Sequence, residues 1–434
     1  MGWEAIATIG DAAGEWWIGP LATYLDRPTP RTVCGAIGHD GTILACEFDH
    51  ETGQAGRYRI AQAGADDHNT PALWIAPGRR SLIAWSNHNA DHYLRLKVGA
   101  PTGTLGSLTV APEIAIDTGG PASYAQIHRI RHLSNEEQDT FWAFFRRHNV
   151  EWLILTLTVE QEGGTVSWSP ARPLLRTAGR QAYVSTADAH CDDGSQVIRM
   201  AWGYNPAQPV HAIRYFEIDC VTGEIVAPTD PEFAVTLDQL GGERWIDDAA
   251  VGPLLPEPPP GWSRRLFYVR PGPDAPAVSY AEWDTQSPDT AIYRVVELGP
   301  DAGLYTHDLG VAGRRVGYTP EANYIAGLAF EDPSRHRAVV CASGDGGVEC
   351  IERVLLGDVG VARTLLRSQP TAEGRLIRPV SPVNGGPLAA VVTNMRRYGD
   401  DYRDFRGDLL GIIAPRLPPI SGQDAEVPER SSMG

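Results

Sequence analysis

Alternating strand pairs wrapped around a tight turn recur seven times along the chain, and no other feature limits its folding so strongly. The first four are Val33–Phe48 around His39-Asp40-Gly41, Ala72–Ser86 around Pro77-Gly78-Arg79, Ala125–Arg146, and Ala182–Gly203 around Cys191-Asp192-Asp193-Gly194. Leu266–Trp283, Tyr324–Ser343, and Arg378–Asn394 around Asn384-Gly385-Gly386 complete the set. The second arm of each is aromatic or β-branched: ILACEF, LIAWS, FWAFF, IRMAW, AVSYAEW, AVVCAS and LAAVVTN. Six intervals separate Ile43 from Leu388, a mean of about 58 residues. Strand units repeated in this way predict an all-β, seven-bladed β-propeller with four-stranded blades. Two sandwich domains are the competing arrangement, disfavoured because no linker divides the middle of the chain. Only Asn135–Arg146 and Thr236–Leu240 are compatible with helix.

Composition narrows the function classes. With 42% hydrophobic and 21% charged residues, the 434-residue chain is not disordered. No apolar run reaches the roughly 18 residues of a membrane-spanning helix. A net charge of −17 argues against a duplex nucleic acid partner. The only lysine is Lys97, and genomic base composition accounts for that bias. The N-terminal MGWEAIATIGDAAGEWW lacks a secretory signal, and Ile6 breaks the myristoylation-like start at Met1-Gly2. Residues 1–415 read as the propeller, with an insertion around 228–262 marked by PTDPEF and PEPPPGW, and 416–434 as a flexible tail.

The sharpest local pattern is DDHNTPALWIAPGRRSLIAWSNHN, in which His68 and His88 lie ten residues either side of Gly78. A regular ladder would set the two imidazoles opposite each other, at the end remote from the turn, flanked by Asn69, Asn87 and Asn89. Histidines so placed either serve a site or tie loops together, and both roles stay open. In RQAYVSTADAHCDDGSQVIRMAWGY, a turn near Cys191–Gly194 predicts Tyr183 and Arg199 at similar levels. The structural alternative is a cation–π contact on a sheet face. Arg199 interrupts an apolar strand, and an unpaired buried guanidinium is costly, so it is expected to face a groove or meet an anion.

These blocks resemble the propeller-type ulvan lyases (polysaccharide lyase families 24 and 25) and, more loosely, BNR-repeat-like proteins. The matching pieces are H-N-x-P-A at His68, S-x-H-N at His88, R-x-x-Y ending at Tyr183, and the strand of Arg199. Weaker matches are Tyr124 with the FFRR of 144–147, Tyr324–Pro333 and Arg378-Pro379, within a similarity spanning residues 35–410. The resemblance implies a seven-bladed propeller that cleaves a uronate-containing acidic polysaccharide by β-elimination without a required cofactor. It implies His68 and Tyr183 as the acid/base pair and Arg199 with His88 as neutralisers of the carboxylate. Asn69, Asn89, Tyr124 and Arg146 would bind substrate. A sulfated substrate also calls for local cations, for which Arg79-Arg80, Arg129, Arg131 and Arg146-Arg147-His148 are the candidates, each otherwise a solvated loop or strand edge.

Other sites are less specific. Cys34 and Cys46 flank Asp40 evenly, and Cys341 and Cys350 flank the Gly344–Gly347 turn, so each pair could be a cross-hairpin disulfide or two adjacent thiols. No C-x-x-C pair predicts zinc. His190-Cys191-Asp192-Asp193 and Asp247-Asp248 read as turns with incidental ligands, and a structural metal ion stays open. No Walker loop or G-x-S-x-G elbow occurs. EQEGGTVSW at 160–168 resembles a degenerate Asp-box of sialidase-like propellers. Two alternatives to the lyase therefore stand: a non-catalytic glycan-recognition module or depolymerase of a phage tail assembly, and a sialidase-like hydrolase. Extracellular or virion-associated localisation is the matching expectation, with an acidic polysaccharide as partner and no membrane insertion.

Overall fold

A strand covered on one face alternates apolar and polar residues, whereas one covered on both faces reads as a continuous apolar run. That distinction orders this fold from the axis outward. In the computed structural model the described residues are 6–14, 18–19, 21–101, 104–190, 194–208, 210–272, 275–299, 303–312, 327–331, 337–343, 349–355, 362–368, 375–398 and 403–413. Their strands form seven sheets. Sheet I begins with Ala22–Leu25, sheet II with Ala72–Trp74, sheet III with Ala122–Arg129, and sheet IV with Ala182–His190. Sheet V begins with Trp262–Val269, sheet VI with Leu328–Glu331, and sheet VII with Arg375–Val380.

From sheet II to sheet VII, neighbouring sheets meet through these first strands. Sheets I and II meet through Arg31–Ile37 and Ala72–Trp74, and sheets VII and I through a bridge between Val383 and Thr23. The ring is thus closed, and the fold is an all-β propeller. The first and last described strands share sheet VII, because Ile6–Asp11 pairs antiparallel with Phe405–Ile413. The described residues that follow Asp11 touch three sheets: Ala13 bridges Ile37 of sheet I, the Gly14 amide donates to Thr393 Oγ1 of sheet VII (3.0 Å), and Gly19 bridges Gln126 of sheet III.

The apolar stretches lie where two-sided burial requires them. Leu82–Ser86 and Gln196–Tyr204 are buried at every position, and the side chains of Trp85, Trp202 and Trp283 fill the space between sheets. Edge strands such as Leu304–Val311 are largely exposed. Five of the expected hairpins are the first and second strands of their sheets, and in Tyr324–Ser343 the described part, Leu328–Glu331 with Arg337–Ser343, pairs likewise. The Val33–Phe48 hairpin instead contains the second and third strands of sheet I, preceded by the four-residue strand Ala22–Leu25, too short to show a period. Asn135–Arg146 is not helical: Gln138–Arg147 is a strand, buried from Asp139 to Arg146. Thr236–Leu240 contains the 3-10 turn Leu237–Gln239, and the short helix Gly106–Val110 carries no sequence signal. Among the described residues no helix is long and apolar enough to cross a membrane.

The insertion joins two sheets. Asp230–Thr236 extends sheet IV, Ile246–Asp247 pairs in parallel with Arg172–Arg176 of sheet III, and Pro253–Leu255 returns to pair with Ile213–Asp219 of sheet IV. Cys34 and Cys46 face each other across their strands, both buried and both thiols; the hydrogen bond with Cys46 and then burial raise the Cys34 thiol. Cys341 pairs with Ile351 and Cys350 with Ala342 in the backbone register, a one-residue offset, so the two cysteines are not partners across the ladder. The 416–434 tail lies outside the described residues.

Base composition explains why lysine is rare, but not where Lys97 sits. A register shift between Ile43 and Leu44 leaves Ile60 outside the ladder, and the buried Lys97 Nζ donates to its carbonyl at 2.8 Å. Lys97→Met strands that carbonyl. It is expected to cost about 1–3 kcal/mol in urea unfolding; an unchanged midpoint would show that the tie is dispensable.

Candidate functional site

The hairpin register sets the first part of the site. Ala72 faces Ala84, Leu73 faces Ile83 and Trp74 faces Leu82, a ladder centred on Gly78, which adopts φ +71° with open space where a Cβ would lie. The ladder stops there, and the preceding chain tightens into the 3-10 turn Asp67–Asn69, capped by Asp66, whose Oδ1 accepts the His68 amide at 3.0 Å. The imidazoles of His68 and His88 stack with centroids 4.2 Å apart and planes within 8°. One carboxylate spans both rings: Asp66 Oδ1 lies 2.8 Å from His68 Nδ1 and Oδ2 lies 2.9 Å from His88 Nδ1. Asp67 Oδ1 lies 2.7 Å from His68 Nδ1, and Asp67 Oδ2 pairs with Arg378 Nη1 at 2.6 Å, both side chains fully buried.

This arrangement separates the two histidines electrostatically. Burial alone would lower His68, but the Asp67 charge and the bonds to Asp66 and Asp67 hold it well above the usual imidazole range. Burial and the adjacent His68 charge push His88 down to about 4. Burial would raise Asp66 and Asp67; bonds from the histidines for the first, and the charges of Arg378 and His68 for the second, hold both below the usual carboxylate range. The stabilisation from His68 is therefore complete below its unfolded value near 6.5 and lost as pH rises through its raised folded value. That from the aspartates is present above about 3.8 and lost as pH falls through their lowered values. Histidine side-chain NMR is expected to show His68 doubly protonated at neutral pH and His88 neutral down to about pH 4. Equal titration of the two near 6.5 would contradict the assignment.

Asp66, His68 and His88 also bring three possible metal ligand atoms within 4.8 Å. A tetrahedral ion needs donors converging at about 2.0–2.1 Å. The parallel rings instead each point Nδ1 at a separate oxygen of the same carboxylate, an arrangement suited to shared protons.

Sheets III, IV, V and VII complete the cluster at the end of the ring where the first strands begin. Tyr124 occupies a bulge between Ser123 and Gln126 with φ +58°, a backbone strain of about 1–3 kcal/mol that occurs preferentially at functional sites. Its ring lies 5.8 Å from each imidazole and 6.0 Å from Tyr183. Arg146, on the second strand opposite Ser123, is 0% exposed and donates from Nε to Ser123 Oγ at 3.0 Å. Its Cζ lies 4.5 Å from the Tyr124 ring centroid and 5.6 Å from that of Tyr183, yet Nη1 and Nη2 have no hydrogen-bond partner among the described residues. Arg265 lies 5.9 Å from the Tyr183 ring. Arg378, at φ +55°, also donates to the Gly14 carbonyl at 3.1 Å.

Arg199 does not join this group. The ladder between Ala182–His190 and Gln196–Tyr204 is centred at position 193, so Tyr183 faces Gly203 and Arg199 faces Ala187, four residues farther along the strand. Arg199 is buried there against Glu217 Oε1 (3.3 Å) and the carbonyls of Arg270 and Gly272 (3.2 Å each). Its anion is a carboxylate of the protein itself.

The flanking amides tie loops, and two of the three, Asn69 and Asn89, keep an open acceptor among the described residues. Asn69 Nδ2 donates to the Gly64 carbonyl and Asn87 Oδ1, and Asn89 Nδ2 donates to Asn149 Oδ1. The buried Oδ1 atoms of Asn69 and Asn89 have no partner among the described residues. Most of the other expected cations are spent elsewhere: Arg79 and Arg80 on carbonyls near the hairpin turn, Arg129 on Asp139, and Arg147 on Glu151. Asp248 bonds Tyr204 and Arg180 rather than forming an acidic pair with Asp247. Residues 191–193 of the other candidate metal turn are outside the described set.

No protein-family model matches this chain, and no curated protein matches it. Solved structures do. The chain is similar to a structure described as a new family of polysaccharide lyase, PL25 ulvan lyase, with TM-score 0.63 and 13% identity over 94% of this chain and 96% of that one. The same lyase bound to -[GlcA(1-4)Rha3S]- gives TM-score 0.63 and 13% identity over 95% of each chain. At that identity the likeness shows the fold alone.

Sequence reasoning passed over Asp66 and Asp67, although both directly precede His68 and carboxylates beside a histidine control its charge. Arg265 and Asn205, which reaches the Tyr183 hydroxyl, carry no local signal because separate strands deliver them.

Proposed function

We propose that the cluster at this end of the ring cleaves a uronate-containing polysaccharide by β-elimination, and that each sheet is one blade of a seven-bladed ring. Strand pairing within the seven sheets supports the blade count. The observation that carries the chemistry is Arg146: a fully buried guanidinium near the rings of Tyr124 and Tyr183, with both Nη atoms lacking hydrogen-bond partners among the described residues. Burying an uncompensated cation is costly, and a substrate carboxylate relieves that cost.

Elimination needs three groups. A cation on the carboxylate stabilises the enediolate that forms as C5 loses its proton; Arg146 takes the role the resemblance implied for Arg199. A base removes that proton, the C4–O bond breaks with formation of the C4–C5 double bond, and an acid protonates the departing oxygen. His68, held as an imidazolium by Asp66 and Asp67, is the donor, and Tyr183 is the base. A phenol ordinarily titrates near 10, and neighbouring cations favour its anion. Around the site Arg146, Arg265, Arg378 and charged His68 outnumber Asp66 and Asp67, so the local field is positive despite the acidic chain. The glucuronate–sulfated rhamnose unit bound by the similar lyase supports a uronate as the substrate class here.

One observation favours a second reading, a glycan-binding module without chemistry: His68 is only 5% and Tyr183 only 6% exposed. The test is ultraviolet absorbance of the unsaturated uronate, released from ulvan and other uronate glycans but not from their carboxyl-reduced forms. Binding of these glycans with no absorbance in any digest would establish the second reading.

A further inference from the structure

Beyond the acid and base, the hydroxyl of Tyr183 meets a group that neither the hairpin pattern nor the proposed mechanism assigns. We infer that Asn205 is a positioning residue whose side-chain amide holds the Tyr183 oxygen and favours its phenolate, an inference that rests on the reading of Tyr183 as base. Asn205 Nδ2 lies 3.5 Å from the Tyr183 hydroxyl and 3.1 Å from Gln181 Oε1. The orientation of such an amide is set by its hydrogen bonds. Here Asn205 Oδ1 accepts the Ala207 amide at 2.9 Å, so the end turned to Tyr183 is a donor. A donor stabilises the charged phenolate, whereas an acceptor would stabilise the neutral phenol.

The insertion anchors this amide. Asn205 follows Tyr204, whose hydroxyl bonds Asp248 Oδ2 and accepts from Arg214 Nη1 at 2.9 Å. Asp248 sits fully buried in the 3-10 turn Asp248–Ala250, between the strands that stitch sheets III and IV. The Asn205 backbone N–H also donates to the Gln181 carbonyl at 3.0 Å. The segment 228–262 thereby holds the loop that carries the donor. The charged and aromatic groups that face Tyr183 from the packed elements include Arg146, Arg265 and Tyr124; the variants below leave them in place.

The test is spectroscopic titration of Tyr183, read as the difference between each protein and its Tyr183→Phe counterpart, alongside the pH profile of turnover. Asn205→Ala is expected to raise the tyrosinate midpoint by about one pH unit and to move the acidic limb of turnover upward equally. Asn205→Asp keeps the shape and the contact to the Ala207 amide but replaces the donor with a carboxylate, so its shift is larger. Turnover that falls in both variants while both midpoints stay at the wild-type position overturns the inference. If no glycan is cleaved, the elimination reading fails, and the titration alone still decides the role of Asn205.

Discussion

Replacing Arg146 with methionine is expected to lower turnover by about 10²–10³-fold while leaving folding stability unchanged or higher. Most buried arginines would behave in the opposite way, because their removal strands a carboxylate. Among the described residues Arg146 meets no carboxylate: its one hydrogen bond there runs from Nε to Ser123 Oγ at 3.0 Å, and both Nη atoms lack partners. The Tyr124 ring beneath it offsets about 0.5–2 kcal/mol of the burial cost. Methionine fills much of the same volume, keeps contact with the two rings and removes the charge. Urea unfolding and initial rates on the same preparation separate the outcomes. A large stability loss with unchanged turnover would make Arg146 a structural residue and remove the basis for a preformed carboxylate site.

Arg378→Met is expected to have the opposite profile, a loss of about 3–5 kcal/mol in urea unfolding. Arg378 and Asp67 are both fully buried and 2.6 Å apart, and they join the turn before sheet II to the first strand of sheet VII. Removing the guanidinium leaves the Asp67 carboxylate with His68 as its cationic neighbour and frees the Gly14 carbonyl. Asp67 also holds the His68 charge, so the imidazolium of His68 should survive to higher pH with Arg378 absent, because one carboxylate is then shared by fewer cations. A loss below about 1 kcal/mol would show that solvent reaches the pair and that the ring does not depend on it.

Gly78 explains why the histidine pair was legible in sequence: its turn has a single centre, and counting ten residues either way lands on two rings that stack. The same counting failed for Tyr183 and Arg199 because the ladder centre is at 193, two residues beyond the midpoint of that pair, so Gly203 occupies the level expected for Arg199. A one-residue offset similarly parted Cys341 from Cys350. Register depends on turn geometry, which Cys191–Gly194 does not specify as Pro77-Gly78-Arg79 does. Arg146 was visible as part of FFRR, but not its central place, which follows from the bulge that swings Tyr124 beneath it. The continuous apolar stretches revealed the sheets because two-sided burial leaves no other pattern. The strand Ala22–Leu25 was missed because four residues are too few to show a period.

One comparison bears on the mechanism most directly: the yield of unsaturated product from a uronate glycan with the wild-type protein, Arg146→Met and Tyr183→Phe, at one pH and one enzyme concentration. The account predicts steady accumulation with the wild type and little or none with either variant, all three remaining folded. Wild-type digests without absorbance, or equal accumulation from Arg146→Met, would contradict it.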